Sequence, residues 1–360
     1  MKRDDVPWSP PRVADLHRRL AGVEPGLAGA ARRLAAPPSL SRLHLGADRV
    51  PAWHCVAERR RGPVLSLATL DPAATADEVE ARAVSLALGC ALFEVPLGAA
   101  AGAVAAATAT PELARAWHGA LGPGPGRLVL GAPPAFAALL AEAHPHAEPG
   151  VFSNLPLTRG GLPERDTALA RGAFLAIQAF ARRTRLRRGP RVVTQGHSPE
   201  AVLLGGLLAQ AGYEVSPPWS PPPRDEPAPP PLAPGAEDAE VLVVAIPHGL
   251  HPGNAGKVAP RLVVELAVGG VAEALDEALM QAAVPVLPDF LVRGGEAVAA
   301  ALELVPAFPR LDAEAVRNAL AAAVERAIRS VWEEATTAGR SAREAALTLA
   351  LRRLDAAHAG

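Results

Sequence analysis

The sequence predicts an α/β protein of two domains, one a mixed sheet with helices and the other a Rossmann-like parallel sheet. Three observations lead there. Arg191–Val215, RVVTQGHSPEAVLLGGLLAQAGYEV, reads as a buried strand, a tight turn at Gly196, a helix with apolar residues at i, i+3 and i+4, an Ala-Gly stop and a second strand. That order is the core of a dinucleotide-binding unit. Upstream, between Leu43 and Val104, short strand patterns flank one long helical pattern. With 360 residues, 49% of them hydrophobic, the chain has material for about two cores.

The dinucleotide-type unit keeps its frame and loses most of its phosphate chemistry. The usual G-x-G-x-x-G lets backbone N–H groups approach a pyrophosphate at an open helix N-terminus. Here those positions hold Gly196, Ser198 and Ala201. Ser198 is a good N-cap, Pro199 a favoured first helical residue, and Glu200 places a carboxylate in the first turn. The helix satisfies its own N-terminus, and Glu200 would repel a diphosphate. Where an acidic residue would hold ribose hydroxyls after the second strand, the chain runs SPPWSPPP, Ser216 to Pro223. The loop reads as vestigial, with no cofactor expected.

Composition excludes several classes. A net charge of −1 gives no global attraction to nucleic acid or membrane. Two cysteines, Cys55 and Cys90, fit a reducing cytoplasm better than a disulfide framework. The start, MKRDDVPWSPP, has no apolar run of the kind a secretory signal needs, and the alanine-rich stretch 99–107 is too short to span a membrane. Arginine supplies nearly all the positive charge: the only lysines are Lys2 and Lys257. Chemistry that needs a tunable ammonium therefore has almost no source.

In order, residues 12–36 read as an amphipathic helix or helix pair broken at Glu24-Pro25-Gly26. Leu43–Val50 and Trp53–Glu58 read as short strands about a turn at Gly46-Ala47-Asp48. Glu58–Pro63, ERRRGP, reads as an exposed turn and Val64–Leu70 as a strand. A helix from Ala76 to about Cys90 is opened by Thr75 with Glu78 three residues on, a capping box. Ala91–Val104, ALFEVPLGAAAGAV, is expected to be a strand leading into a small-residue loop.

At that stretch the chain resembles the glutamate/leucine/phenylalanine/valine dehydrogenase family, whose C-A-x-x-[DE]-[VL]-P-x-G-x-A-x-G appears here as CALFEVPLGAAAGAV. Four further segments follow in the family's order. Leu155–Phe174, LPLTRGGLPERDTALARGAF, matches the glycine-arginine segment with Arg165, Ala168, Arg171 and Gly172 in place. Lys257–Gly270 is similar to the strand ending in E-G-A-N-G, with Glu265, Ala267 and Gly269 kept. Val284–Gly295 is similar to V-x-P-D-x-x-A-N-A-G-G, and Arg340–Leu354 to the closing R-x-A-A-x-x-x-A-x-x-R helix.

The resemblance implies NAD(P)-dependent oxidative deamination of an amino acid, in which lysines clamp the carboxylate and activate water and an aspartate handles the proton. Position by position, the three lysines fall on Leu65, Gly89 and Ala101, the aspartate on Pro134, a serine on about Ala300, and two asparagines on Val268 and Arg293. Losing one acid–base group costs roughly 10²–10⁴ in rate and one charge-stabilising donor roughly 10²–10³. With all of them replaced, no catalytic residue is expected.

Other reactive residues read as structural. His54 and Cys55, adjacent on a strand, face opposite ways and form no pair. His248 and His251 follow a buried strand at a mouth where this fold places ligands, but no cysteine or carboxylate joins them, and no metal is expected. His144 and His146 read as solvated loop residues, and Arg182–Arg188, RRTRLRR, as a solvated helix end rather than a nucleic-acid patch. For Asp289, after Pro288, a strand-end structural role and a ligand contact both stay open. Ser216–Pro234 reads as an extended proline-rich surface loop replacing part of a crossover.

The expected organisation is residues 1–165 plus 300–360 as a substrate and oligomerisation domain, and 166–299 as the Rossmann-like domain with an insert at 216–234. The expected function is a glutamate dehydrogenase-like protein without catalysis of its own, a regulatory or structural subunit in a homo- or hetero-oligomer with an active dehydrogenase paralogue. The alternatives are a diverged NAD(P)-dependent amino-acid oxidoreductase and a non-catalytic sensor that takes a small-molecule effector.

Overall fold

The computed structural model describes residues 18–20, 22, 25–35, 41–45, 49–58, 64–72, 74–121, 128–131, 136, 138–139, 142, 152–153, 161–184, 186, 189–221, 230–304 and 311–359. Two sheets organise them, as expected for a mixed-sheet domain joined to a Rossmann-like one.

The first sheet contains β1 (Ser41–Leu45), β2 (Val50–Glu58), β3 (Val64–Leu70), β4 (Gly98–Val104), β5 (Leu128–Gly131) and β6 (Phe152–Ser153), in the order β1-β2-β4-β3-β5-β6. β1–β2 and β2–β4 are antiparallel, while β3 pairs in parallel with both β4 and β5. The helix pattern after β3 forms α2 (Ala76–Leu92), following α1 (Ala28–Ala35) near the N-terminus. Its capping box is present: Glu78 N–H donates to Thr75 Oγ1 at 3.3 Å, and Thr75 N–H donates to Glu78 Oε2 at 3.1 Å.

Ala91–Val104 differs from the strand-then-loop expectation. Ala91 and Leu92 close α2, Phe93 caps it, Glu94 turns with φ 57, and the small-residue run GAAAGAV is itself a buried central strand. The reason is tertiary. Ala101 and Ala103 face Val79 and Ala83 of α2, whereas Val104 faces Trp117 on α3 (Pro111–Leu121). A Cβ at Gly102 would lie 2.4 Å from the Trp117 ring. Packing on both faces overrides the weak strand preference of glycine and alanine. The expected turn at Glu58–Pro63 lies outside the described residues beyond Glu58, as do His144 and His146.

The second sheet is wholly parallel. It runs β11 (Val286–Leu287), β10 (Leu262–Glu265), β9 (Val241–Val244), β7 (Arg191–Gln195) and β8 (Glu214–Val215). α4 (Ala168–Thr184) precedes it and α5 (Pro199–Gln210) connects β7 to β8. The proline-rich segment is not a free surface loop where it is described. Gly196 N–H donates to Trp219 O at 2.7 Å, and the Gln195 side chain donates to Pro231 O and accepts from Ala233 N–H. The Gly196 backbone thus holds the Trp219 end of the segment, the buried Gln195 amide holds the Pro231–Ala233 end, and Ala233 joins the core beside it.

α6 (Asp276–Gln281), α7 (Asp289–Val292) and α8 (Gly294–Leu302) lead to the long C-terminal pair α9 (Ala313–Ala338) and α10 (Ala342–Ala359). α9 starts on Asp312, which accepts from Ala315 N–H at 2.7 Å, and stops at Gly339 in the left-handed conformation, φ 63. α4 packs on α9 and α2 on α10, so one continuous core joins helices of both sheets. The arginine cluster is not simply solvated: Arg182 and Arg183 pair with Glu325 of α9 at 2.9 and 2.6 Å. Arg183 also donates to Ala179 O at the end of α4. Among the described residues no helix is long and apolar enough to cross a membrane.

Candidate functional site

A cleft of about 770 Å³ separates the two sheets. One wall is the C-terminal edge of the parallel sheet with the start of α5, from Ser198 to Glu200. The other wall is one face of α2, the end of β3, and α7 with the start of α8. A parallel sheet of this kind presents its ligands at that edge.

The positions where the resemblance would set lysines fare differently. Gly89 and Ala101 do line the cleft. A Cβ at Gly89 would stand 3.1 Å from the Phe290 carbonyl oxygen, so α7 would have to give by a few tenths of an ångström to take a side chain there. Leu65 is buried in the main core, opposite Ala99 and Val129 in the sheet, and does not line the cleft. Pro134 lies outside the described residues. Ala300 is buried in α8, while Val268 and Arg293 line the cleft. Lys257 is exposed and away from it.

At the dinucleotide-type turn, Gly196 adopts φ +109, and a Cβ there would lie 2.6 Å from Ile246. That glycine serves the close strand–turn approach. Ser198 accepts from Ala201 N–H at 3.2 Å, so the side chain already uses the helix-terminal donor that a phosphate would seek. Glu200 stands in the same turn and lines the cleft. After β8, Trp219 backbone rather than an acidic side chain meets the turn. Ala201 is an accepted third residue of the motif; the departures are Ser198 and the missing acid. These residues do not fit a dinucleotide diphosphate.

Charges around the cleft are mostly internally matched. Arg165 meets Glu303 at 3.4 Å, and Arg293 meets Glu296 at 2.9 Å. Arg19 meets Asp276 at 2.7 Å and donates to Val271 O, tying residues 18–20 to the start of α6. Glu265, 1% exposed at the end of β10, lies 2.8 Å from Arg343 of α10 and accepts from Val271 N–H at 2.8 Å. Burial nevertheless raises its carboxyl above the ordinary value, with Arg343 working against that rise. Asp289 accepts from Ser85 Oγ; burial raises its carboxyl too, and that hydrogen bond opposes the rise. Both roles left open for Asp289 remain compatible with this position, at a helix start and on the cleft wall.

Arg82 is the exception. It stands on the cleft face of α2, two turns before Gly89, and donates to Thr69 Oγ1 at 2.8 Å. Among the described residues it makes no ion pair. Burial, and then the neighbouring Arg293, hold its guanidinium below the usual value. No motif marks this arginine; the only sequence signal is its i+4 spacing from Glu78, and that carboxylate is engaged by Thr75 N–H.

The remaining candidates take structural roles. His54 Nε2 lies 3.1 Å from Ser66 Oγ and its ring meets Trp117 edge-on at 6.0 Å. Cys55 is fully buried, and burial first, then Glu80, push its thiol up to about 12, far from a nucleophile. His251 Nε2 lies 3.1 Å from Pro230 O, and its Nδ1 accepts from Gly253 N–H. His248 turns the chain with φ 49 and donates its N–H to Gly269 O. No group of three or more potential metal ligands occurs among the described residues.

Comparison with known proteins finds likenesses for this frame. Residues 236–360 match the family model described as Glutamate/Leucine/Phenylalanine/Valine dehydrogenase. A chain of the hetero-hexameric glutamate dehydrogenase from Thermus thermophilus, in its Leu-bound form, is 28% identical, with 98% of each chain covered and a TM-score of 0.78. Over its C-terminal third the chain is thus similar to the glutamate/leucine/phenylalanine/valine dehydrogenase family. Glutamate dehydrogenase from Peptoniphilus asaccharolyticus is 17% identical over 98% of this chain and 99% of its own, with a TM-score of 0.74. L-tryptophan dehydrogenase from Nostoc punctiforme is 14% identical over 93% of this chain and 100% of its own, with a TM-score of 0.61. Those two likenesses concern the fold. Comparison with curated proteins finds no match. Within the family frame, the glycines that let helices touch are kept: a Cβ at Gly172 would lie 3.0 Å from Gly295, and one at Gly295 would lie 2.1 Å from Ala168 O.

Proposed function

We propose that this chain is a regulatory or structural subunit of an amino-acid dehydrogenase complex, with no amino-acid oxidation of its own. The observation that carries the reading is at Gly89. The place where the family resemblance would put a lysine is a glycine, so the ammonium is missing, and its Cβ position lies 3.1 Å from the Phe290 carbonyl, a tight contact for any side chain. Ala101 beside it offers no donor, and Ser198 with Glu200 disfavours a diphosphate at the turn. The chain therefore works without bound NAD(P), in a cytoplasmic assembly held mainly through residues 1–165 and 300–360.

An active dehydrogenase paralogue as partner is supported by the relative from Thermus thermophilus, which assembles as a hetero-hexamer and whose matched chain is 28% identical over nearly the full length. The test is a tagged pull-down from the native host, with the eluate assayed for glutamate-, leucine-, phenylalanine- and valine-dependent NAD(P) reduction. Activity arriving with a second, lysine-containing dehydrogenase chain supports the proposal. Activity from this protein alone, or NAD(H) binding near micromolar affinity, supports the diverged-oxidoreductase reading instead. Elution alone and inert overturns the partner.

A further inference from the structure

We infer that a second pocket, on the edge of the parallel sheet opposite the cleft, binds a small uncharged aromatic molecule, with Trp332 and Met280 holding its ring. The pocket has a volume of about 680 Å³, within the roughly 300–1,000 Å³ of small-molecule sites. Arg261 and Pro285 line it immediately before β10 and β11 begin. It therefore lies at the N-terminal ends of the strands, whereas the cleft lies at their C-terminal ends. Three observations carry the inference.

First, the lining offers apolar and aromatic surface to water. Trp332 of α9 is half-buried and meets the buried Phe180 of α4 edge-on, with ring centroids 5.4 Å apart and an interplanar angle of 75°. Met280, near the end of α6, is 44% exposed, one of three large hydrophobic residues exposed among the described ones, and Leu186 and Val284 join it in the lining. An indole takes a second ring by stacking, and a thioether takes one by sulfur–ring contact. Second, charge is balanced. Among the described residues no acid lines the pocket, and its charged members are Arg261 and Arg340. Arg340 is engaged: it lies 3.6 Å from Glu334 and donates to Thr348 Oγ1 at 3.0 Å. Arg261 shares the pocket with the C-termini of α4, α6 and α9 and with one N-terminus, that of α10. Each helix end carries about half a unit of charge, so the four leave about one negative unit, which Arg261 offsets. The ligand that keeps this balance is uncharged. Third, the hydroxyl protons are spent. Thr184 donates to Phe180 O at 3.1 Å, Thr336 to Trp332 O at 2.8 Å and Ser341 to Glu344 at 3.0 Å. Their oxygens remain as acceptors, which suits a ring bearing one N–H or O–H, such as an indole or a phenol, and not a polyol.

The inference makes no use of the subunit proposal, and its test needs neither turnover nor a partner. Isothermal titration calorimetry of the full chain is run with indole, with indole-3-acetate and tryptamine as anionic and cationic forms of the same ring, and with cyclohexanol. The expected result is saturable indole binding at submillimolar concentration, the two charged analogues at least five-fold weaker, and no saturation by cyclohexanol. Two matched variants locate the site. Met280 in this pocket and Leu203 on the cleft wall are both exposed, so a glutamate at either place keeps the parent Tm. Met280→Glu should weaken indole at least ten-fold and Leu203→Glu should leave it unchanged. Trp332→Phe should keep more affinity than Trp332→Leu. No binding at millimolar indole, equal or tighter binding of a charged analogue, or saturation by cyclohexanol overturns the inference. So does a loss of binding in Leu203→Glu with none in Met280→Glu, which would place the ligand in the cleft. Self-association in sedimentation velocity that Met280→Glu abolishes, without indole binding, overturns it in favour of a second copy of the chain. Indole binding with a pull-down that returns no dehydrogenase leaves the pocket standing and removes the subunit proposal; a recovered dehydrogenase without indole binding does the reverse.

Discussion

The ion pair between Glu265 and Arg343 should be the most sensitive point of the frame, and the loss on breaking it should depend on pH. Glu265 is 1% and Arg343 6% exposed, and they meet at 2.8 Å. Arg343→Met keeps an apolar stem in α10 and leaves Glu265 accepting from the Val271 N–H. Removing one partner of a buried pair costs about 3–5 kcal/mol. There is also a ceiling. The stranded carboxylate can take up a proton, and for a carboxyl that titrates near pH 4.3 when unfolded, neutralising it at pH 7 costs about 3.7 kcal/mol. At pH 5 the same step costs about 1 kcal/mol. For a 360-residue chain that unfolds as one unit, the unfolding entropy is on the order of 0.8 kcal/mol per kelvin. The expected drop in Tm is therefore about 5 °C at pH 7 and about 1 °C at pH 5. The measurement is thermal unfolding by circular dichroism at both pH values and at one fixed protein concentration, because any assembly shifts Tm by mass action. Adding Glu265→Leu to Arg343→Met should recover most of the loss at pH 7, since no charge is then left buried. An equal drop at both pH values, or less than about 1 °C at pH 7, would refute the view that an uncompensated Glu265 charge governs the effect.

Two further outcomes follow from the cleft. Asp289 has its folded carboxyl raised, chiefly by burial, so its protonated form favours the folded state. Its contribution is fully present below the unfolded value near pH 4 and is lost as pH rises through the folded value. Asp289→Asn should flatten that decline and give a higher Tm than the parent at pH 7 in a pH series; a lower Tm at pH 7 with an unchanged slope would count against it. Gly89→Lys should not create a dehydrogenase. It forces a side chain against the Phe290 carbonyl at 3.1 Å, an overpacking that costs about 1–3 kcal/mol, and amino-acid-dependent NAD(P) reduction should stay at background. Activity without loss of Tm would mean that the cleft had kept room for the chemistry.

The fold is legible in sequence wherever local chemistry and tertiary packing agree. Thr75 with Glu78, Ser198 with Pro199, and the apolar RVVTQ and VLVV runs all mark element starts or buried strands that the structure contains. It is not legible where a distant contact decides. GAAAGAV has the composition of a loop, and it is a strand because α2 and Trp117 close on its two faces. The proline-rich segment has the composition of a linker, and Gly196 and Gln195 draw its two ends onto the sheet. Site residues show the same division. Leu65 maps by resemblance to a reactive position but belongs to the core, while Arg82 belongs to no motif and faces the cleft. Finding Arg82 requires knowing which face of α2 the cleft takes and that Glu78 is already engaged by its own cap, and neither follows from spacing alone.

Family resemblance survives in this chain at the positions where backbone meets backbone. A Cβ at Gly294 would lie 1.9 Å from the Phe93 ring, and a Cβ at Gly295 would lie 2.1 Å from Ala168 O; changing either residue moves a helix. Reactive side chains on a cleft wall carry no such constraint, because replacing a solvated lysine by glycine or alanine removes chemistry without disturbing packing beneath it. Frame and chemistry are thus held by different forces and can part. At Gly89 the Phe290 carbonyl of α7 lies 3.1 Å from where a side chain would begin, a tighter approach than side chains ordinarily make. The dinucleotide-type turn divides in the same way: Gly196 keeps the close approach to Ile246, while Ser198 gives its side chain to the helix's own Ala201 N–H.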